Sequence, residues 1–463
     1  MAKHKSDEIR NVLFCGHGSS GKTTLIDALL TTTGTIKTQA SVDAGTSICD
    51  FDDLEKHHKY SLEATMVHLK HQGKRLNLID TPGYPDFIGQ AIGAMYGVDT
   101  AVIVVNAQSG IEVNTRRVFA EAGKAGLGRI IALNKVDADN VDVATRIGEL
   151  QELFGNACVP LNVPVGQGQD FKGVVSTLKV PDDTAGAVID PKEISEPLME
   201  SIIEVDEQVT ERYFEGEMPS AEELDRLIVE AIATGSLIPI VCVSGKTETG
   251  LKELLDALVQ CGLPPGRVER TGKDKDGNEV KVGNEPDGPL VARVFRTRVD
   301  PFVQKMSYVR VFSGTLKKDD HLAATGVRKG VRISQPFDVQ ANDTEPVDEA
   351  GPGEIVVLTK MEDLHTGASL GDVELPPIKF PTPMVGLAVT PKSRGDEAKL
   401  SGALQKVVDE DPTLHVDRDS QTKELVMTGL SELHLQLVQE RLKGRDKVEV
   451  ETKEPKIPYR ETI

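Results

Sequence analysis

The sequence predicts three folds in succession: an α/β domain with an inserted subdomain, an all-β barrel, and a ferredoxin-like α+β domain. Three features support this prediction. Aliphatic strands alternate with helical patterns in the first part, short strands with turn signals follow, and the last part has the order βαββαβ. A chain of 463 residues is also too long for a single hydrophobic core.

The composition is that of a chain with an aliphatic core. Apolar residues make up 39% of the sequence and aromatic residues 4%, and the apolar residues 12–15 are too few for a signal peptide or a membrane span. Five scattered cysteines without a CxxC pair favour reduced thiols over disulfides or a zinc site. We therefore expect a cytoplasmic protein without a membrane partner.

The net charge of −20 argues against DNA as a partner, but this charge is unevenly distributed. Residues 181–230 contain 16 acidic and three basic side chains, a local net charge of −13. A solvated helical face is the simpler interpretation of this segment. A docking surface for a basic partner is the alternative.

The first domain, residues 1–265, should bind its ligand at the carboxyl ends of its parallel strands. Strands are predicted at residues 11–15, 76–79, 100–105, 129–133 and 238–243, with helices between them. Short polar motifs follow four of these strands, so all four motifs would meet at one edge of the sheet.

The first motif matches G-x4-GK[ST] and lies between a strand and a helix. It comprises Gly16, His17, Gly18, Ser19, Ser20, Gly21, Lys22 and Thr23, and the helix starts at Thr24. Such a loop wraps phosphate groups with backbone N–H groups at a helix N-terminus. Lys22 would reach the β- and γ-phosphates, and the Thr23 hydroxyl would bind Mg²⁺.

The second motif is D-x-x-G, formed by Asp80, Thr81, Pro82 and Gly83. The Asp80 carboxylate can hold Mg²⁺ through water, and the Gly83 N–H can contact the γ-phosphate. The backbone freedom of Gly83 would make the following segment sensitive to the nucleotide.

The third motif is N-K-x-D, in which Asn134, Lys135 and Asp137 determine the base. The Asp137 carboxylate can accept from both the ring N–H and the exocyclic amine of guanine, a pair of donors that adenine lacks. Asn134 can connect this loop to the phosphate loop, and the aliphatic part of Lys135 can cover the purine. The predicted ligands are therefore GTP or GDP and Mg²⁺.

The fourth motif, Ser244, Gly245 and Lys246, follows the last strand, and its backbone can meet the guanine carbonyl. More than 100 residues separate Asp137 from Ser244, which is far more than one strand–helix unit needs. The surplus, residues 158–233, is predicted to be an inserted acidic subdomain.

Two further domains are predicted after a polar segment. Residues 266–288 are rich in Gly and Pro and are predicted to form a linker or a long surface hairpin. Residues 289–376 have the alternating runs of a small β-barrel. Residues 380–463 contain the six elements of the ferredoxin-like domain.

Together the motifs resemble those of translational GTPases, and of elongation factor G in particular. Further matches are residues 299–302 (VDPF), 410–412 (EDP), 431–435 (SELHL) after Gly429, and 458–463 (PYRETI). The resemblance covers nearly the whole chain and implies a P-loop GTPase domain followed by the family's second and third domains. The family continues with two more domains, so we expect this chain to be the N-terminal part of a longer protein.

Three positions depart from the pattern of the family. Tyr84 stands where the family has a water-positioning His, Ser61 lies in the altered switch segment, and Ser19 replaces a common Asp. A phenol keeps its proton at neutral pH, so Tyr84 can orient water but cannot act as a base; a packing aromatic is the alternative. Ser61 keeps a hydroxyl that can bind Mg²⁺. The resemblance therefore points to a divergent elongation-factor-G-like paralogue, a subgroup that carries Tyr in this motif.

The resemblance implies a monomeric GTPase that acts on the ribosome, through rRNA and ribosomal proteins. Lys22, Gly83 and Tyr84 would be its catalytic residues, and the acidic insertion would meet the ribosomal stalk protein. The alternative is a nucleotide-gated ribosome-binding regulator, a protection or recycling factor with vestigial hydrolysis. We interpret His434 as structural, with a ribosome contact as the alternative.

Overall fold

The computed structural model describes residues 4–301 and 303–457. Phe302 and residues 458–463, which contribute to the resemblance above, lie outside the described residues. Within the described part of the chain, no helix combines the length and the apolar character that crossing a membrane requires.

The first domain is a central sheet flanked by helices. Its strands are β1 (Ile9–Cys15), β2 (Thr65–His71), β3 (Lys74–Asp80), β4 (Thr100–Asn106), β5 (Gly128–Asn134), β6 (Cys158–Pro160), β7 (Asn162–Val165), β8 (Gly173–Ser176) and β9 (Ile238–Cys242). Its helices are α1 (Lys22–Thr32), α2 (Asp53–His58), α3 (Ile88–Met95), α4 (Val113–Lys124), α5 (Val143–Phe154), α6 (Pro191–Ile203), α7 (Glu207–Phe214), α8 (Ala221–Thr234) and α9 (Leu251–Gln260).

The main sheet has the strand order β2-β3-β1-β4-β5-β9-β6. Its strands are parallel except β2, which runs antiparallel to β3. Val12 and Phe14 of β1 belong to the core on one face, and Leu13 and Cys15 belong to the core on the other. Burial on both faces explains why these strands are continuous aliphatic runs.

The acidic segment is continuous with this domain. Strand β6 pairs with β9 at the sheet edge, and β7 and β8 form a hairpin. Leu198 and Ile202 of α6 and Leu227 of α8 join the same core as the sheet. Glu200 and Glu222 are exposed, so the apolar faces of α6 and α8 turn inward and acidic residues remain in solvent.

The second domain is all-β, as predicted. The connecting residues 266–288 contain a short hairpin of β10 (Thr271–Lys273) and β11 (Glu279–Lys281). The strands that follow are β12 (Val291–Asp300), β13 (Gln304–Ser313), β14 (Leu316–Lys317), β15 (His321–Ala324), β16 (Val327–Arg332), β17 (Pro336–Gln340), β18 (Asp343–Pro346), β19 (Glu349–Ala350), β20 (Ile355–Thr359) and β21 (Ser369–Gly371). Eight of them form one sheet with the order β16-β15-β21-β12-β13-β20-β17-β18.

The third domain confirms the predicted βαββαβ order. Its elements are β22 (Val385–Pro391), α10 (Glu397–Glu410), β23 (His415–Arg418), β24 (Leu425–Gly429), α11 (Glu432–Gly444) and β25 (Val450–Lys453). The antiparallel sheet has the order β23-β24-β22-β25, which is the ferredoxin-like arrangement.

A buried charge cluster joins the first two domains. Asp99, just before β4, accepts from Nη2 of Arg310 of β13 at 2.7 Å and lies 3.2 Å from Nη2 of Arg270. Asn11 also donates to Asp99, at 3.1 Å. Burial favours the neutral form of Asp99, but the charges of Arg310 and Arg270 outweigh it and lower the pKa of Asp99 below its usual value.

Candidate nucleotide-binding site

The loop between β1 and α1 combines a required glycine with a buried lysine. Gly21 has a φ of 89°, and a Cβ there would lie 2.6 Å from Nδ2 of Asn134. Lys22 is buried, and its Nζ donates to the carbonyl oxygen of His17 at 2.9 Å. Burial lowers the pKa of Lys22, and the charge of Asp80 opposes that shift. A cation beside a helix N-terminus is an arrangement suited to phosphate.

Three oxygen-bearing side chains from three segments meet beside this loop. Thr23 Oγ1 donates to Asp80 Oδ2 at 2.6 Å and lies 3.1 Å from Ser61 Oγ. All three residues are buried, and Asp80 Oδ1 has no hydrogen-bond partner among the described residues. Mg²⁺ prefers oxygen ligands of this kind, so these three side chains fit a magnesium ion.

Two further buried carboxylates, Asp27 and Asp50, lie near Asp80, and the sequence analysis predicted neither of them. Burial raises the pKa of Asp80 to about 7, and the charge of Asp50 adds to this shift. Burial likewise raises the pKa of Asp27 to about 6. Asp27 lies within α1 and Asp50 lies in residues 41–61, where no motif marks either of them. Such a concentration of acidic groups around Thr23 favours a bound cation.

The D-x-x-G loop lies directly against the phosphate loop. A Cβ at Gly83 would lie 2.5 Å from Nζ of Lys22 and 2.7 Å from Cα of Gly18, so the two loops touch only because position 83 has no side chain. Asn114 of α4 is buried, and its Nδ2 donates to the Gly83 carbonyl oxygen at 2.8 Å. Sequence reasoning missed Asn114, which has no motif around it. At the start of the loop, Thr81 Oγ1 donates to the main chain of β1 at 2.7 Å.

Asn134 connects its own loop and residues 244–246 to the phosphate loop. Its Nδ2 donates to the Ser20 carbonyl oxygen at 3.0 Å, and its Oδ1 accepts from the Gly245 N–H at 3.1 Å. Lys135 Nζ donates to the Ser19 carbonyl oxygen at 2.8 Å. The Asn134 amide therefore fixes three loops relative to one another.

Asp137 provides an acceptor at this junction. Its Oδ1 is buried and has no hydrogen-bond partner within the described residues. Ser244 is fully buried, and Lys246 is exposed. A carboxylate oxygen that is removed from water and not hydrogen-bonded is costly unless a ligand donates to it.

The other predicted residues of the phosphate loop lie around these groups. Ser20 is buried, and its Oγ has no hydrogen-bond partner in the described part of the chain. His17 Nε2 lies 3.5 Å from Oε1 of Glu112. The backbone of Gly16 packs against the main chain of β4, and Gly18 packs against the ring of Tyr84. Thr24 and Pro82 are the remaining predicted residues. Thr24 is half-buried in α1, and Pro82 is buried immediately before Gly83.

Helix α11 of the third domain contacts the segments on both sides of the site. Leu437 of α11 packs in a small apolar cluster with Leu62 and Phe87. Arg441 Nη2 lies 2.7 Å from Oε1 of Glu63, two residues after Ser61. Burial opposes ionisation of Glu63, but the arginines around it outweigh burial and lower the pKa of Glu63 to about 2. The third domain therefore holds the end of the segment that supplies Ser61.

His434 of α11 is buried and is held both by its own domain and by the first domain. Its Nε2 lies 3.1 Å from Oδ2 of Asp411, and its Nδ1 accepts from the Leu430 N–H at 3.2 Å. The ring also packs edge-to-face on Phe87, with 6.2 Å between centroids. These contacts support the structural interpretation of His434.

Three family models match consecutive parts of the chain. Residues 7–264 match the elongation factor Tu GTP binding domain, residues 289–373 match elongation factor G domain 2, and residues 380–454 match elongation factor G domain III. The model matches therefore cover the three folds in the order described above.

Whole proteins with the same arrangement are similar over almost the entire chain. Elongation factor G of Fervidobacterium nodosum is 33% identical over 483 residues, covering 99% of this chain and 69% of that protein. An elongation factor G-like protein of Thermotoga maritima is 33% identical, covering 98% and 68%. A crystal structure of a Thermus thermophilus protein superposes with a TM-score of 0.87 at 32% identity, covering 98% and 68%. The chain therefore belongs to the elongation factor G family of translational GTPases and comprises its GTP-binding domain, domain II and domain III.

Proposed function

We propose that this chain binds GTP together with Mg²⁺ at the junction of the four loops and hydrolyses GTP to GDP and phosphate. The observation that carries the proposal is the Asn134 bridge between the phosphate loop and residues 244–246. Because this bridge holds the loops together, the buried cation of Lys22 and the acceptor of Asp137 would face one common site.

Guanine recognition rests on Asp137. Its buried Oδ1 would accept from a guanine donor, and the second carboxylate oxygen would take the adjacent donor. Adenine would leave the carboxylate unpaired, which is the kind of mismatch that gives large discrimination. The backbone of Gly245 would meet the guanine carbonyl, and Lys135 would cover the purine face.

Hydrolysis would depend mainly on positioning and on charge stabilisation. Lys22 and the N–H groups of the phosphate loop would stabilise the charge that develops on the phosphate oxygens. Thr23, Ser61 and Asp80 would hold Mg²⁺, which would supply further neutralisation of the phosphates. The Gly83 N–H would contact the γ-phosphate, and the Tyr84 hydroxyl would orient the attacking water without removing its proton.

The ribosome is the partner that the relatives support. Proteins named elongation factor G match over the whole chain, so we propose a translocation-type factor that works on cytoplasmic ribosomes. The exposed acidic side chains of α6 to α8 suit a basic protein surface, for which the ribosomal stalk protein is our candidate.

The proposal is tested by nucleotide competition and by single-turnover hydrolysis. We expect GTP and GDP, but not ATP, to displace a fluorescent guanine nucleotide, and we expect added ribosomes to raise the rate of GTP hydrolysis. Equal displacement by ATP would contradict the base assignment. A rate that ribosomes do not change, measured on a chain that includes any further domains, would contradict the ribosomal role.

The second candidate is a nucleotide-gated ribosome-binding regulator, a protection or recycling factor in which hydrolysis is vestigial. Tyr84 at the position of the family's His favours it. Tyr84→His separates the two candidates. A large gain in the hydrolysis rate would favour the regulator, because it would mean that the native residue limits the reaction. A rate within about threefold of the wild-type value would favour the GTPase.

A further inference from the structure

Two tyrosines pack against each other beside the phosphate loop. The ring centroids of Tyr60 and Tyr84 lie 4.7 Å apart, and the ring planes are inclined by 51°. Tyr84 also lies against the phosphate loop, since a Cβ at Gly18 would lie 3.5 Å from Cε2 and Cζ of Tyr84. The ring of Tyr84 is therefore in contact with both Gly18 and Tyr60.

The local backbone fixes the position of Tyr60. Lys59 ends α2 in the left-handed conformation, with a φ of 60°, which turns the chain immediately before Tyr60. The Glu55 carboxylate then accepts from the N–H groups of Leu62 and Glu63, at 2.9 and 3.1 Å. Residues 55–63 thus form a closed turn that is hydrogen-bonded across its base, and Tyr60 lies within it.

Both tyrosines also rest on a common apolar base. Leu62 and Phe87 form its buried centre with a side chain from α11, and Tyr60 and Tyr84 pack against this cluster together with Leu54. A ring that is confined by a turn, by an apolar base and by a neighbouring ring has few orientations available. Tyr60 therefore restricts where the Tyr84 ring can lie.

We propose that Tyr60 is a positioning residue for the nucleotide site: its ring holds the ring of Tyr84 against Gly18 and so fixes the position of the Tyr84 hydroxyl during hydrolysis. The inference rests on the proposed function, because it assigns Tyr84 a part in GTP hydrolysis. It goes further by making the position of Tyr84 depend on a second aromatic residue, from the segment that also supplies Ser61. Small displacements of a catalytic group can lower a rate by about 100-fold, so the effect of losing Tyr60 is measurable.

The first experiment tests the packing without requiring hydrolysis. Photo-oxidation of the full chain with a ruthenium complex and persulfate couples tyrosine rings that are in contact. Among the described residues, Tyr60 and Tyr84 are the only two tyrosines whose rings pack on each other. We expect a dityrosine that peptide mapping assigns to this pair and that Tyr60→Phe and Tyr84→Phe each abolish. A mapped product that never contains this pair overturns the inference.

The second experiment uses single-turnover GTP hydrolysis to measure whether the effects of substituting Tyr60 and Tyr84 depend on each other. We expect Tyr60→Leu to lower the rate about tenfold with unchanged GTP affinity, and Tyr60→Phe, which keeps the ring, to stay within about threefold of wild type. In a Tyr84→Ala background, Tyr60→Leu should have no further effect, because its role is exerted through Tyr84. Tyr213→Leu, on helix α7 of the acidic segment, is the matched control and should leave the rate measured without ribosomes unchanged.

Failure of the positioning role and failure of the proposed function give different results. Independent, multiplicative effects of Tyr60→Leu and Tyr84→Ala, or an unchanged rate in Tyr60→Leu, overturn the positioning role. A wild-type chain that binds GTP and forms the Tyr60–Tyr84 cross-link, yet does not hydrolyse GTP with or without ribosomes, overturns the proposed function instead. In that case the cross-link still supports the placement of Tyr84 by Tyr60.

Discussion

The side-chain amide of Asn114 donates a 2.8 Å hydrogen bond to the carbonyl oxygen of Gly83. This contact attaches the D-x-x-G loop, which also touches the phosphate loop, to the start of α4. Asn114 is 1% exposed, so the bond is shielded from water and its loss would leave the Gly83 carbonyl oxygen without this partner.

We expect Asn114→Ala to lower the GTP hydrolysis rate by about 10- to 100-fold while changing GDP affinity by less than about threefold. The reason is that the amide orients Gly83 and does not line the base site. Single-turnover kinetics and GDP titration measure the two quantities. Arg117→Ala, at an exposed position of the same helix, is the control. Equal losses of rate and of GDP affinity would show that the contact supports the whole domain instead.

We expect Asp137→Asn to weaken GTP binding by at least about 100-fold, because an amide cannot accept from two adjacent donors. Xanthosine triphosphate carries a carbonyl where guanine has the exocyclic amine, so its binding should improve in the same variant. Competition titrations with both nucleotides check this exchange of preference. Asp139→Asn changes an exposed carboxylate in the same loop and should alter neither affinity. A variant that still prefers GTP would contradict the role of Asp137.

We expect Gly83→Ala to impair the site although it adds a single methyl group. The added carbon would lie 2.5 Å from Nζ of Lys22 and 2.7 Å from Cα of Gly18, so one of the two loops must move. The hydrolysis rate should fall by about 100-fold or more. Gly148→Ala is the control, because a Cβ at this helical position meets no atom within 4 Å. Wild-type kinetics in the Gly83→Ala variant would mean that the loops separate freely in solution.

We expect Asp99→Asn to destabilise the interface between the first two domains by about 3–5 kcal/mol at neutral pH, because Arg310 would remain buried without its partner charge. The pKa of Asp99 is lowered in the folded chain, so its stabilisation is present above the unfolded-state pKa, near 3.9 for Asp, and is lost as the pH falls below it. The difference in unfolding midpoint between wild type and Asp99→Asn should therefore stay nearly constant down to about pH 4 and narrow as the pH falls further.

Urea unfolding monitored at several pH values measures this difference. Asp372→Asn breaks an exposed pair with Lys275 and is the matched control, for which we expect little change at any pH. A midpoint difference for Asp99→Asn that stays constant well below about pH 4 would contradict the assignment of the stabilisation to the charged form of Asp99.

The sequence was sufficient to predict the three folds and the convergence of the four loops. Hydrophobic runs and turn signals define strands such as β1 and β5, and a parallel sheet places the loops that follow them at one edge. The motif residues from Gly16 to Lys246 carry local patterns that a reader can recognise. The topology then places these residues at the same edge of the sheet.

Other contacts could not be predicted, because no local motif marks the residues that make them. Asn114 and Asp50 have no motif around them, and only the folded chain places them beside Gly83 and Asp80. The packing of Tyr60 on Tyr84 depends on the left-handed turn at Lys59. A lysine carries no signal for that conformation, which glycine and asparagine adopt more readily.

The five cysteines are all buried with free thiols. Burial raises the pKa of Cys15, Cys158, Cys242 and Cys261 to about 12 and that of Cys49 well above its usual value. Native thiols are therefore poor nucleophiles towards maleimides near neutral pH. A cysteine engineered on the exposed surface of α7 would take up a fluorescent label selectively in the otherwise native chain. Fluorescence of that label could then follow the encounter of the acidic helices with a partner in real time.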